Sequence, residues 1–248
     1  MRTPRIYHPG PLCSGDSIGL SAAASRHIAR VLRLDTGAWL TVFNGDGHEY
    51  PAQIIAVHAG RVEVTVGQPQ ACPTESPLSV TLLQGVCRGQ RMDLVVQKAV
   101  ELGVATILPV LCQRSVVRVR DERARRRQEH WQSIAIGATE QSGRVRVPTV
   151  SEPQPFAGAL GTLRSEDCHI LLDPDTEHRF GNAVRNGSGI TLLCGPEGGL
   201  TDGERDAALE AGFRPARLGP RILRSETAPI AALAVLQYLH GDLGHAAV

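Results

Sequence analysis

The sequence predicts an α/β protein in two parts, a small N-terminal β-barrel followed by a larger α/β domain. Three observations carry that prediction. Short β-branched or aromatic runs with turn chemistry between them fill the first 66 residues. A proline-rich stretch, GQPQACPTESP, then brings Pro69, Pro73 and Pro77 with no helical period. Beyond it, apolar strands alternate with helices, the pattern of an α/β domain.

In the first part, WLTVFN, HEYPAQIIAV and RVEVTV read as strands, NGDG at 44 to 47 as a turn, and HIARVLRL as the one helix. The boundaries drawn are residues 1–68 for the barrel, 69–78 for a linker and 79–248 for the α/β domain. There SVTLLQGV is a strand, and RMDLVVQKAVELG a helix whose Met92, Val95, Val96 and Ala99 share one face. ATILPV is the next strand and DERARRRQEHWQSIAIGATEQS a long helix. CHILLD and ITLLC are compact apolar runs suited to strands buried on both faces, as in a parallel sheet. In LTDGERDAAL, Thr201 and Glu204 form a capping-box pattern. The last helix, capped by Ser225 or Thr227 and forced to begin near Pro229, is apolar almost all round from Ile230. That implies burial by the sheet and by a second surface such as another subunit.

No apolar stretch reaches the ~18 residues of a membrane span, and the start, MRTPRIYHPG, lacks the apolar core of a signal peptide, so the cytoplasm is the expected compartment and no membrane is involved. Six cysteines without a Cys-x-x-Cys pair argue against a zinc site and a disulfide framework and read as reduced thiols. His8, His27 and His48 show no metal spacing, so no metal is expected. The formal charge is only +1, yet of the 26 basic residues all but Lys98 are arginines. Arg114, Arg118, Arg120, Arg123, Arg125, Arg126 and Arg127 crowd one span with only Asp121 and Glu122 as counter-charges. Such a patch suits a polyanion partner; the alternative is a solvated helix face.

GPEGG, residues 195 to 199, links a buried strand to a helix. Ligands bind at the carboxyl ends of strands in an open α/β sheet, and glycines there permit positive φ and let a ligand approach the backbone. The alternative is a tight connection, for which one glycine suffices. There is no G-x-x-x-x-G-K-[ST] and the spacing is not G-x-G-x-x-G, which excludes two familiar nucleotide loops. A nucleoside with a small anionic end fits better, its carboxylate at the helix N-terminus. A second segment, LGPRILRSETAPIAALAVLQYL, breaks at Gly219-Pro220 and places Arg221 and Arg224 around an apolar pair.

With LLCGPEGGLTDGE followed by LGPRILRSETA, the sequence resembles the RsmE-type 16S rRNA uridine-N3 methyltransferases of the SPOUT class. HIARVLRL, FNGDGHEY, RMDLVVQKAVELGV and ATEQSGR extend the resemblance through the chain. Cys87-Arg88-Gly89-Gln90 replaces a more usual lysine-glycine-acid run, and Ser225 a threonine. The resemblance implies a PUA-like barrel that grips RNA, a C-terminal SPOUT domain with a trefoil knot that binds S-adenosylmethionine (SAM), a homodimer, and a uridine in the decoding region of the 30S subunit as target. The cofactor pocket would use LLDP at 171 to 174, including Leu172, with Gly195, Pro196, Glu197, Gly198, Gly199, Leu200, Leu218, Gly219, Ile222 and Leu223, Ile222 and Leu223 being among the apolar contacts to adenine and ribose. Methylating uracil N3 removes an imide proton and places negative charge on the flanking carbonyl oxygens. Arg221 and Arg224 are the candidate cations there, or else phosphate contacts or structural ion pairs. Beside a sulfonium they would cost about 4 kcal/mol at ~4 Å. Glu226 or Glu197 would pair the cofactor's amino group or take the proton, or Glu226 would merely cap the helix. Arg5, Arg30 and Arg33 from the barrel, with Arg88, Arg114, Arg125, Arg126 and Arg127, are the expected RNA contacts. The rival classes are a non-catalytic RNA-binding protein of ribosome assembly and a nucleotide-binding oxidoreductase, the latter weakened by the glycine spacing.

Overall fold

Side-chain alternation along three strands sets the core of the first of two units in the computed structural model, which describes residues 3–58, 60–115, 121–184 and 189–244. Arg118 and Arg120 lie outside the described residues, as do the side chains of Asp121 and Glu122. The first unit comprises Met1–Glu75 with Thr139–Val147, the second Ser76–Ala138 with Pro148–Val248.

The first unit contains β1 (Arg5–Tyr7), β2 (Ser17–Gly19), α1 (Ala22–Arg26), β3 (Trp39–Phe43), β4 (His48–His58), β5 (Arg61–Val66) and β6 (Gln70–Ala71). The sheet runs β1-β3-β4-β5-β2, with β6 also on β4; β1 pairs β3 in parallel and the other pairs are antiparallel. Along β5, Val62, Val64 and Val66 are buried while Arg61 and Glu63 face water, the period of two that a half-buried strand requires. They meet Tyr50, Ala52 and Ile54 of β4, with Ile6, Ile28, Leu40 and Val42. Buried Ser25 is satisfied, its hydroxyl accepting from the Val62 N–H at 3.1 Å and donating to the Leu20 carbonyl at 3.3 Å. The helix expected over HIARVLRL starts earlier. Ser21 caps α1, which passes into a π-helical stretch over His27–Leu32 that Arg33 ends at φ 53°.

Residues 143–146 are tied into this unit by the proline-rich segment. Thr74 Oγ1 donates to the Gly143 carbonyl at 2.9 Å. Glu75 accepts from Arg144 Nη2 at 2.7 Å and from the Val145 and Arg146 N–H groups at 3.0 Å each. Arg5, expected to contact RNA, is instead an internal tie. Its Nε donates to Glu49 at 2.7 Å, its Nη1 to the Thr139 and Glu140 carbonyls at 3.1 and 3.0 Å, and its Nη2 to the Arg144 carbonyl at 2.8 Å. Its guanidinium stands 4.7 Å from the centre of the Phe43 ring. Two of those carbonyls are in the last turn of a helix, where they lack intrahelical donors. With every donor nitrogen engaged and the side chain only 6% exposed, nothing is left for a phosphate.

The second unit contains β7 (Val80–Gly85), α2 (Gln90–Glu101), β8 (Thr106–Leu111), α3 (Asp121–Ser142, whose last turn belongs to the first unit), β9 (Thr149–Val150), β10 (Gln154–Pro155), α4 (Phe156–Leu160), β11 (Cys168–Leu172), β12 (Ile190–Cys194), α5 (Asp202–Glu210), β13 (Arg214–Ala216) and α6 (Thr227–His240). Its sheet is parallel throughout, in the order β10-β8-β7-β12-β11-β13, with β9 on β8. Every residue of central β12 is buried, as its largely apolar run predicts. Leu82, Ile107, Ile170 and Leu192 pack with residues of α2, α3 and α6. Leu83, Leu108, Leu171 and Leu193 pack with Phe156 of α4 and Ala208 of α5.

The start of α6 differs from expectation. Neither Ser225 nor Thr227 caps it; Glu226 is at the N-cap with no side-chain capping bond. The Thr227 and Ala228 N–H groups donate to the Arg224 carbonyl at 2.9 and 3.0 Å, and Pro229 in the first turn has no N–H to satisfy. Tyr238 and Leu239 of α6, and Leu243 beyond it, are exposed. All six cysteines are free, and burial pushes the Cys87 thiol up to about 11 and Cys112 up to about 12, so both remain protonated packing groups. Among the described residues no helix is long and apolar enough to cross a membrane.

At the carboxyl end of β7 the chain has no room for a methyl group. A Cβ on Gly85 would stand 2.5 Å from the Pro196 nitrogen and 2.8 Å from the Gly195 carbonyl carbon, so the GPEGG segment crosses the end of the neighbouring strand in contact with its backbone. Gly85→Ala is expected to cost about 2 kcal/mol through displacement of residues 195–196, read as a lowered thermal midpoint; an unchanged midpoint would contradict the close approach. Burial pushes the Glu75 carboxyl up, but Arg144 and two backbone N–H donors outweigh burial and hold it below its usual 4.5. A depressed folded-state pKa gives stability that is complete above about pH 4.5 and lost as pH falls through the folded value. Burial pushes Glu140 up instead, a contribution of opposite sign that is lost as pH rises. Glu75→Gln should therefore lose about 2 kcal/mol at pH 7 and less at pH 4. Because Glu140 is common to both proteins, the difference from wild type in chemical denaturation reports Glu75 alone.

Candidate functional site

Three neighbouring parallel strands, β12, β11 and β13, end on one side of the second unit's sheet, the side where an α/β sheet binds ligands. Their following loops wall a cavity of about 720 Å³. Leu172 is the last residue of β11; Gly195, Pro196, Glu197, Gly198, Gly199 and Leu200 follow β12; Leu218, Gly219, Ile222 and Leu223 follow β13. All eleven line the cavity, as do Arg221, Arg224 and Glu226. Sequence reasoning thus collected one site from segments far apart in the chain.

The GPEGG loop is held from several sides. Gly199 adopts φ 69°, a left-handed conformation that favours glycine, and its N–H closes a turn onto the Pro196 carbonyl at 2.9 Å. A Cβ on Gly198 would stand 2.9 Å from Arg114 Cβ. Arg114, expected to contact RNA, is itself part of the cavity wall: its Nη1 donates to the Leu200 carbonyl at 3.0 Å and lies 3.4 Å from that of Gly198. The capping box forms as predicted, with Thr201 Oγ1 accepting from the Glu204 N–H at 3.3 Å and Glu204 Oε2 accepting from the Thr201 N–H at 2.9 Å. Glu204 Oε1 also takes the Gln113 N–H at 2.7 Å, which ties α5 to the segment after β8.

Charges divide into paired and unpaired groups. Glu197 Oε1 accepts from the Arg88 N–H at 2.8 Å and from Arg91 Nη1 at 3.1 Å. Burial pushes this carboxyl up, but those donors outweigh burial and hold it below its ordinary value. Arg91 Nε is also 3.8 Å from Glu226 Oε1, and the Ser225 hydroxyl donates to Glu226 Oε2 at 3.1 Å. Asp173 pairs Arg205 at 2.7 Å, and Arg217 stands 3.6 Å from Glu177. Among the described residues Arg221 and Arg224 make no ion pair. Ile222 lines the cavity with 84% of its surface exposed.

Sequence reasoning missed Arg91, Arg205 and Arg217, all of which line the cavity beside Asp173. Arg91 lay inside a quoted motif, but only its apolar neighbours carried a periodic signal. Of the expected RNA contacts, exposed Arg30 and Arg33 belong to the first unit; exposed Arg88, Arg125 and Arg126 and half-buried Arg127 belong to the second, Arg125 lying 3.5 Å from Glu129. Among the described residues no three His, Cys, Asp or Glu groups gather as metal ligands would.

Comparison with known proteins assigns this arrangement to a family. The RNA methyltransferase domain family matches residues 74–237 and the RNA methyltransferase PUA domain family matches residues 20–67. Ribosomal RNA small subunit methyltransferase E of Buchnera aphidicola subsp. Schizaphis graminum is 31% identical over 98% of each chain. That of Bacillus subtilis is 32% identical over 87% of this chain and 89% of its own. The crystal structure of the Neisseria gonorrhoeae methyltransferase E bound to S-adenosyl methionine superposes with a TM-score of 0.91 at 40% identity, covering 98% of this chain and 100% of its own. A Legionella pneumophila methyltransferase in complex with SAM gives 0.94 at 38% identity with the same coverage. The chain, a PUA-like unit joined to an α/β methyltransferase unit, belongs to the ribosomal RNA small subunit methyltransferase E family.

Proposed function

We propose that the protein is a SAM-dependent methyltransferase that modifies N3 of a uridine in 16S rRNA of the 30S subunit, acting in the cytoplasm as a homodimer. The cavity at the ends of β11, β12 and β13 carries the reading, because two unpaired arginines stand at a pocket whose glycine-bent walls suit a nucleoside. A volume of about 720 Å³ is in the range of small-molecule sites. The missing side chains at Gly195, Gly198 and Gly199, with backbone from Leu218 and Gly219, would hold adenine and ribose; Leu172, Leu200 and Leu223 supply apolar wall. Bound SAM would supply an electrophilic methyl group on a sulfonium.

The chain's own groups would do the rest. Arg221 and Arg224 are placed to stabilise the negative charge that spreads onto the uracil carbonyl oxygens when N3 loses its proton, and a carboxylate of the site would take that proton. A paired base cannot present N3, so the uridine must be unpaired or extruded. We assign RNA grip to residues 1–68 through Arg30 and Arg33, and to Arg88, Arg125, Arg126 and Arg127 of the catalytic domain, residues 79–248, with 69–78 as the connection. We also infer the trefoil knot that the resemblance implies. Exposed Tyr238, Leu239 and Leu243 support a second copy against α6.

Mass mapping of 16S rRNA after incubation with the protein and labelled SAM tests the reading: one methyl group on uridine N3 is expected, and transfer to another atom or none would overturn it. Arg221→Met and Arg224→Met should each lower kcat about 10²-fold with a much smaller change in SAM affinity; equal losses in both would place the arginines on the cofactor. Changing Arg125, Arg126 and Arg127 together to glutamate should weaken RNA binding and flatten its salt dependence, while calorimetry with SAM changes little.

A further inference from the structure

We propose that Arg91 is the positioning residue of this pocket, fixing Glu197 as a strut of the GPEGG loop and leaving Glu226 as the carboxylate that works on bound atoms. The inference rests on the reading of the cavity as a SAM site and decides between two carboxylates that the sequence leaves equivalent.

Arg91 lies in the first turn of α2, a helix whose N-cap, Gly89, makes no side-chain bond. A cation there opposes the helix dipole, so α2 gains nothing from it. What Arg91 gains is two carboxylates from two different pocket walls. Its Nη1 is 3.1 Å from Glu197 Oε1 on the loop after β12, and its Nε is 3.8 Å from Glu226 Oε1 at the start of α6. One planar guanidinium thus ties three segments that are remote in sequence. A lysine, with a single charged nitrogen, could not serve both carboxylates from fixed directions.

The two carboxylates are not held alike. A single oxygen of Glu197 takes both the Arg88 N–H and Arg91, and that attachment sits at the N-terminus of α2, where a negative charge is favoured. Glu197 is thereby committed to holding its loop. Glu226 has only the longer approach of Arg91 and one bond from the neighbouring Ser225 hydroxyl, which leaves acceptor capacity on both its oxygens. It is oriented without being consumed.

The test separates affinity from turnover. SAM dissociation constants are measured by calorimetry, and kcat by methyl transfer to 16S rRNA at saturating SAM, for Glu197→Gln, Glu226→Gln, Arg91→Met and Arg91→Lys. Glu197→Gln should raise the SAM dissociation constant about tenfold and lower kcat less. Glu226→Gln should do the reverse. Arg91→Met should impair both, with partial recovery in Arg91→Lys. In the double variant Arg91→Met/Glu197→Gln, affinity should fall by clearly less than the product of the two single losses, because the two share one contact. Multiplying losses in the double variant would overturn the proposal, and so would Glu197→Gln and Glu226→Gln failing on the same parameter, or wild-type values in Arg91→Met. Should Arg91→Met fold poorly, the glutamine variants and Arg91→Lys decide alone. Wild-type protein that binds no SAM would refute the underlying reading instead.

Discussion

The site depends on one close approach, that of the chain at Gly195-Pro196 to the end of β7. A loop after a central strand ordinarily turns away from its neighbours, since their side chains occupy the space above the sheet edge. Gly85 removes that obstacle, and the segment crosses β7 at a separation that no Cβ would permit. From there Glu197 reaches the start of α2, Gly198 reaches Arg114, and the loops after β11 and β13 have a fixed wall to face. Burial of β12 on both faces supplies the rigidity behind it.

A composition with one lysine has structural consequences. Arg5 and Arg144 each use several nitrogens at once, on backbone carbonyls in one case and on a carboxylate in the other. An ammonium is a point charge and cannot hold two partners in fixed, different directions. Arg91 uses the same property in the pocket wall. The arginines therefore split into those that build and those left unpaired, and counting them along the sequence does not separate the two.

Much of this was legible in the sequence, for identifiable reasons. Strands β5, β7 and β12 and the capping box at Thr201 follow from periodicity and local hydrogen bonding, which neighbouring residues determine. The two glycine segments pointed to the pocket because a bent, bare backbone needs an explanation wherever it occurs. Arg5 was misread because its partners, Thr139, Glu140 and Arg144, are more than 130 residues away. The return of residues 139–147 to the first unit is invisible for the same reason, since the helix period runs unbroken through the last turn of α3. At α6 the Arg224 carbonyl takes the first N–H groups, a backbone solution with no sequence signature. Arg91 was missed because a charged residue on the polar side of an amphipathic helix carries no periodic signal.

The charge of the cavity narrows what can occupy it. Six arginines face five carboxylates there, and Arg91 and Arg205 pair with three of those carboxylates, Glu197, Glu226 and Asp173. A polyphosphate ligand would need a surplus of cations or an array of free N–H groups, and the near balance supplies no such surplus. A zwitterion with an added sulfonium charge has the opposite requirement, since each extra unpaired cation nearby would repel it by about 4 kcal/mol at ~4 Å in an effective dielectric of about 20. The arginines paired with carboxylates are already neutralised and Arg114 is spent on backbone carbonyls, whereas Arg221 and Arg224 are exposed. Solvent can screen them there until an RNA base with developing negative charge arrives. On the proposed reading, pairing some arginines and leaving others free would let one small cavity accept a cationic donor and an anionic acceptor side by side.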